Sequence, residues 1–228
     1  MKKYYDISLP ISAALPVWPG DPPVWKERIQ KMEDGEHANV TALKFGAHTG
    51  THMDAPYHFI ADGRTIDQVA LEDLMGPAQV VQVDDSVDLI TAEVLAGLPI
   101  DRSITKVLFK TRNSRLWAQM NASFDTGYVA IDPSASNVLV ELGMRLIGVD
   151  YLSVAPWNDQ VTTHRILLGA QIVLLEGLNL SAVTPGIYEL AALPIKLHAS
   201  DGAPCRAVLS REEKTDFRRV PANQNRRR

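Results

Sequence analysis

At 228 residues, 46% of them hydrophobic and 22% charged, the chain has the length and composition of one soluble globular domain with a substantial core, which excludes wholesale disorder. The formal net charge of -4 gives no basis for a nucleic-acid or acidic-membrane partner. The single cysteine, Cys205, excludes an internal disulfide framework and any multi-cysteine zinc site, so a bound metal has to rely on His, Asp and Glu.

The opening residues carry two lysines but no apolar run of signal-peptide length, and no segment approaches the ~20 apolar residues of a membrane span, so a cytoplasmic protein is expected. Alternation around Tyr5, Ile7 and Leu9 predicts a strand ended by Pro10. Residues 16–23, with four prolines and Trp18, predict a stiff loop suited to a pocket wall or a surface crossover. The β-branched and aromatic content of Val40 to Ala47 predicts a strand. Leu71 to Met75 reads as a short helix stopped by Gly76, and Gln79 to Val83 as a strand. A second short helix is expected from Thr91 to Gly97, and a strand over Lys106 to Lys110. Asp132 followed by Pro133 is a helix start, with a capping carboxylate and proline at the first helical position, and that helix should run to Leu142. Beyond it lie a buried strand, Leu146 to Asp150, a helix containing His164 to Gly169, an apolar strand over Ile172 to Leu175, and a strand near Pro194 to Leu197. Strands and helices alternate without steady βαβ spacing, so the expected class is α/β with a mixed sheet or partial barrel. One domain over residues 1–215 is expected, followed by a basic tail, 216–228, whose Arg218, Arg219, Arg226, Arg227 and Arg228 read as a solvated extension.

Three of the six histidines, with one aspartate, fall in the segment from His48 to His58. Imidazole and carboxylate donors together suit zinc, manganese or iron. His48 and His52 have the spacing of one helix face, but Gly50, Pro56 and the β-branched pair Thr49 and Thr51 oppose a helix. An extended run instead sends positions 48, 52, 54 and 58 to one side, with bends at Gly50 and Pro56. A second pair, His164 and Glu176, lies far along the chain, Glu176 following an apolar run where a carboxylate is as often a solvated strand end as a functional group. His37 and His198 are assigned no ligand role. Asp150 either orients a ligand from behind or caps a loop, and it is left out of the site. A nucleophile elbow, a Walker loop and a GxGxxG turn are absent from the sequence, and Cys205 has no local base. Metal-assisted hydrolysis of an amide or ester is the remaining chemistry.

The segment HTGTHMDAPYHF, residues 48–59, resembles the HxGTHxDxPxHF signature of the metal-dependent cyclase-like family, which includes bacterial kynurenine formamidases and isatin hydrolases. The resemblance extends through residues 16–21, 61–63, 146–154, the His164 and Glu176 pair, 193–196 and 201–204. It implies a swivelling β/β/α fold, a homodimer or larger oligomer and no organic cofactor. By that resemblance His48, His52 and Asp54 bind a first divalent ion, zinc with manganese as the alternative. In members with two ions, Asp54 bridges to a second held by His164 and Glu176, and His58 is the general acid/base. Kynurenine formamidases commonly carry alanine where this chain has Thr51, so formylkynurenine, a cyclic amide such as isatin, and a lactone all stand as substrates. Trp18, Phe59 and Trp157 are candidate aromatic walls, each also explicable as packing. The rival class is a non-catalytic metal- or small-molecule-binding protein on the same scaffold; a spare histidine at position 58 argues for the enzyme.

Overall fold

A computed structural model of the chain describes residues 1–118 and 123–212; the expected tail and the domain boundary at 215 lie outside the described residues. Among the described residues there are twelve strands: β1 (Lys2–Asp6), β2 (Trp25–Gln30), β3 (Val40–Lys44), β4 (His52–Asp54), β5 (Met75–Gln82), β6 (Leu89–Ile90), β7 (Lys106–Lys110), β8 (Ala130–Ile131), β9 (Leu146–Val149), β10 (Val173–Glu176), β11 (Gly186–Pro194) and β12 (Gly202–Glu212). Four α-helices accompany them: α1 (Leu71–Leu74), α2 (Ala92–Ala96), α3 (Pro133–Glu141) and α4 (Gln160–Gly169).

The main sheet runs β1-β12-β11-β5-β7-β9-β10-β4, and β4 pairs again with β12, so the strands from β12 round to β4 close into a barrel. Neighbours among β5, β7, β9 and β10 are parallel, and the remaining pairs are antiparallel. This is the mixed sheet and partial barrel expected of the sequence. Alternation divides the core between two faces. Met53, Val80, Leu108, Val173, Leu175, Leu190, Ala203 and Leu209 fill the barrel interior. Val81, Phe109, Ile147, Val149 and Leu174 point outward, against Leu95, Leu139 and Leu167 of the helices. Strands buried on both faces explain the continuous apolar runs at residues 107–109 and 172–175.

Local chemistry sets the helix starts as expected. The Thr91 side chain accepts from the Val94 amide and that of Asp132 from the Ala135 amide, with Pro133 in the first turn. Other expectations need correction. β1 ends at Asp6 rather than Leu9, and α1 stops at Leu74 because Met75 already begins β5, in which Gly76 takes a φ of 106°. The strand from Val40 ends at Lys44 and pairs only with β2, in a separate two-stranded ribbon, so it does not deliver the histidines. Residues 195–197 are not a strand; β11 precedes them and ends at Pro194.

Asp150 immediately follows β9 and is fully buried. Its carboxylate accepts from the backbone amides and hydroxyls of Thr111 and Ser114, fixing the 3-10 turn Arg112–Ala118. Burial holds its pKa above the usual carboxylate value against those hydrogen bonds. It is therefore a loop anchor, of the loop following β7. Thr51 is buried as well: its hydroxyl donates to the Gly177 carbonyl at 2.6 Å and accepts from the Leu9 amide at 2.8 Å, tying three chain segments together behind the site.

One of those segments approaches the loop before β4 so closely that only glycine fits. Gly177 has a φ of 68°, and a Cβ there would lie 2.1 Å from the Gly50 carbonyl oxygen. Replacement Gly177→Ala adds left-handed strain to a backbone clash and should cost about 2–4 kcal/mol, measured as a lower urea midpoint at unchanged m-value.

Candidate metal centre

Register builds the site. In β4, Met53 enters the barrel interior, so His52 and Asp54 point outward. Glu176 lies opposite His52 in the β10 pairing, two residues beyond the outward-facing Leu174. Three functional side chains thus emerge together on the helix-covered face, where the carboxyl end of β10 meets β4. Helix α4 packs over that face and contributes His164. Asp54 is 1%, His52 1%, Glu176 2% and His164 3% exposed.

The four converge. His52 Nε2 lies 3.3 Å from Glu176 Oε2 and 3.5 Å from Asp54 Oδ1. His164 Nε2 lies 3.6 Å from Glu176 Oε1 and 3.7 Å from Asp54 Oδ2. Both rings are oriented from behind, since His52 Nδ1 donates to the Gly50 carbonyl and His164 Nδ1 to that of Gln160. A carbonyl can only accept, so in each ring Nδ1 keeps its proton and Nε2 is the nitrogen that would offer a lone pair to an ion once its own proton is lost. Glu176 Oε1 also accepts from the Val154 amide at 2.7 Å.

His48 sits in a turn rather than on a strand, beyond the bend at Gly50 with its φ of 66°. Its Nδ1 is 2.7 Å from Asp54 Oδ1, and its Nε2 is 2.8 Å from Asp201 Oδ2. His58 ends the 3-10 turn Pro56–His58 and stacks on His48, with ring centroids 3.9 Å apart at 26°. Donor atoms of His52, Asp54 and Glu176 lie within 4.8 Å of one another, as do those of His48, Asp54 and His58, so Asp54 is common to both groups. The structure brings all six sequence-predicted residues to one place. The donor groups cut across the two ligand sets implied by the resemblance, His52 grouping with Asp54 and Glu176, and His48 with Asp54 and His58. His37 and His198 lie apart, His198 beside Asp67 on the surface.

Sequence reasoning missed Asp201. It immediately precedes β12, and the β12 to β4 pairing sets its carbonyl 2.9 Å from the Ala55 amide, inside the histidine segment. The resemblance includes residues 201–204 but gives Asp201 no role, which its contacts with His48 and His58 supply. Gly202 beside it is also constrained by the site: a Cβ there would meet Met53 O at 2.6 Å and His48 Cε1 at 2.7 Å.

The electrostatics test whether a metal fits. Asp54 and Glu176 are two buried carboxylates side by side, an arrangement that demands positive charge. Burial and the Asp54 charge both oppose ionisation of Glu176, yet hydrogen bonds from His164 and His52 hold its pKa below the usual value. Burial likewise opposes charge on Asp54, but His48 and His58 hold it well below the carboxylate range. The histidines carry the compensation. Burial alone would lower His48, but Asp54 and Asp201 push it up to about 11; His52, against the same burial, rises to about 9 beside Asp54 and Glu176. A divalent cation supplies the same positive charge without those protons, and the nitrogen and oxygen donors suit zinc or manganese. The residues fit a metal.

A cavity of about 210 Å³ opens onto the cluster. Its walls include Trp18, Asp21, Phe59 and Leu152, together with His58 and the buried donors. Phe59 stacks on His164 with centroids 4.3 Å apart at 10°. Trp157 does not line the cavity; it backs Trp18 at 5.0 Å.

Comparison with known proteins agrees with this architecture. A structure described as a potential metal-dependent hydrolase with cyclase activity superposes with a TM-score of 0.80 at 31% identity, over 94% of this chain and 100% of that one. A predicted metal-dependent hydrolase from Bacillus stearothermophilus matches at 0.78 and 31% identity, over 92% and 98%. Isatin hydrolase A from Ralstonia solanacearum shares the fold at 0.78 and 24% identity, over 92% of each chain. The model of the Cyclase family matches residues 5–156, and the chain belongs to that family.

Proposed function

We propose that the protein is a metal-dependent hydrolase of a small non-peptide amide, with His48, His52, Asp54, His164 and Glu176 as the ligands of one or two divalent ions and His58 as the general acid/base. The observation that carries this reading is the buried pair Asp54 and Glu176, ringed by imidazoles at the floor of a cavity. The solved relatives at 31% identity are described as metal-dependent hydrolases, which supports the same reaction class. A divalent ion bound there, zinc or alternatively manganese, would supply Lewis acidity toward a carbonyl and acidify water.

The chain's own residues divide the remaining work. His52 and His164 are locked by carbonyls of their own backbone and are closed to solvent, so each has one role, donation through Nε2. His58 is 28% exposed and lines the cavity, where it can exchange a proton with a substrate and with solvent. Trp18 and Phe59 provide flat apolar walls for an aromatic amide. Asp21 lies in the same cavity without a side-chain hydrogen bond among the described residues, a site for a cationic amine. That favours an open-chain substrate such as formylkynurenine, which carries an ammonium, over isatin, which has none. A structural likeness to isatin hydrolases keeps ring opening of a cyclic amide as the second reading. A homodimer that acts in the cytoplasm, without nucleic acid or membrane partners, belongs to the same proposal; among the described residues no helix is long and apolar enough to cross a membrane.

Loading should be proton-coupled. In the ion-free protein His48 and His52 titrate near 11 and 9, so at pH 7.5 both are protonated, whereas ligation requires neutral imidazole. Ion binding should therefore release roughly two protons if both rings ligate, and affinity should climb with pH, most steeply below about 9 and less steeply on to about 11. Calorimetry of zinc binding in buffers of different ionisation enthalpy counts the protons; a count near zero removes these two rings from the ligand set. For activity, chelation should abolish turnover. His58→Ala should keep its metal by elemental analysis while losing about 100-fold or more in kcat. Wild-type rates in that variant would end the acid/base assignment. Side-by-side assay of formylkynurenine, isatin and simple cyclic imides, with Asp21→Asn selectively raising KM for the first, decides the substrate.

A further inference from the structure

Asp201 is a carboxylate that neither the ligand set nor the proton transfer at His58 accounts for. Its Oδ2 lies 2.8 Å from His48 Nε2 and 3.4 Å from His58 Nδ1. The two rings are stacked, so they meet this one oxygen from the same side. One carboxylate oxygen at this place can accept from both rings.

We infer that Asp201 is a positioning residue, whose single oxygen fixes the tautomer and orientation of His58 and His48 together. Proton placement follows from the acceptor. A ring that donates Nδ1–H to Asp201 has its lone pair on Nε2, and His58 Nε2 has no hydrogen-bond partner among the described residues. His58 is thereby preset as a base whose working nitrogen is the one turned from Asp201. His48 has the opposite polarity, with Nε2–H on Asp201 and Nδ1 facing Asp54. An orienting carboxylate behind an imidazole is an established means of presetting both a metal ligand and a general base. Here one group serves both, so the acid/base ring is indexed to the ligand cluster rather than to a mobile loop. The backbone reinforces this: the Asp201 carbonyl accepts from the Ala55 amide, one residue from Asp54 and three from His58. Ser200 Oγ, 3.3 Å from Oδ1, steadies the other carboxylate oxygen.

The inference rests on the proposed role of His58 only for its kinetic arm. In the spectroscopic arm, 15N-imidazole spectra of the zinc-loaded protein at alkaline pH should show His58 as the Nδ1–H tautomer in the wild type and predominantly Nε2–H in Asp201→Ala. An unchanged tautomer overturns the inference whatever the substrate is. In the kinetic arm, Asp201→Ala should lower kcat about 10- to 100-fold, with KM within about twofold and metal content retained. The same change made in His58→Ala should cost clearly less than it does in the wild type, the remainder passing through His48. Losses that multiply in full across the double variant would leave no part of the effect passing through His58 and overturn the inference. Should Asp201→Ala fail to fold, Asp201→Asn is the near-isosteric substitute: its amide has one accepting oxygen for two rings, so the loss is smaller but must show the same dependence on His58. If the wild type turns over none of the amides tested, the proposed function fails, while the tautomer measurement still decides the role of Asp201.

Discussion

Everything in this protein depends on three residues closing the barrel. Strand β4 is only His52, Met53 and Asp54, and it is hydrogen-bonded on one side to β10 and on the other to β12. A strand so short gains little from its own pairing; it is held because Met53 fills the barrel interior while its two neighbours enter the charged cluster outside. Closure of the sheet and assembly of the candidate metal centre are therefore one structural event. The electrostatic cost is concentrated there too, since Asp54 and Glu176 are both removed from water across that seam. Uncompensated, each would cost several kcal/mol. Imidazolium protons or a metal ion must meet that cost, which couples occupancy of the site to integrity of the seam.

The same constraint explains how chemistry is distributed over the fold. The buried donors come from strand and helix, whose backbones are fixed by the core: β4, β10 and α4. His58 and Asp201 come from the two connections that flank the seam, a 3-10 turn after β4 and the residue before β12. Precision is needed most where charges share an ion, and solvent access where protons are exchanged. Glycines mark the places where the segments crowd to satisfy both. Gly177 allows the exit of β10 to lie against the loop before β4, and Gly202 leaves room for the His48 ring.

Sequence reasoning recovered the parts governed by local chemistry. Asp132 with Pro133 and Thr91 set helix starts from within three residues, and the ligand types in the segment from His48 to His58 announced a metal. It failed where pairing partners decide the structure. No element is predicted from the sequence over β12, which contains Gly202, Pro204 and Cys205, yet Pro204 sits opposite His52 in the seam and the next amide, of Cys205, donates to the Thr51 carbonyl. Strand β11 shows apolar residues on both faces: Ile187 and Leu193 are exposed while Tyr188 and Leu190 are buried, so no alternation betrays it. The bend expected at Gly50 is present, but it separates His48 from the strand and lets it return to Asp54 from another direction, so His48 does not share one extended run with His52. Asp201 was invisible for the same reason as β12, since its neighbours in space lie 153 and 143 residues away in sequence.

The burial gradient through the site then decides which imidazole can do what. His52 and His164, at 1% and 3% exposure, have one nitrogen bound to a backbone carbonyl and the other among carboxylates. A proton on either would have to leave through the cluster itself, where it would displace an ion. His48 is more open, but both of its nitrogens face carboxylates, Asp54 inward and Asp201 outward. Only His58 has one nitrogen on an anion that reaches solvent and another without a partner, inside a cavity sized for a small molecule. Four rings of identical chemistry are thus given different surroundings by what stands behind them. The difference comes from backbone carbonyls and one distant aspartate rather than from the spacing of the histidines.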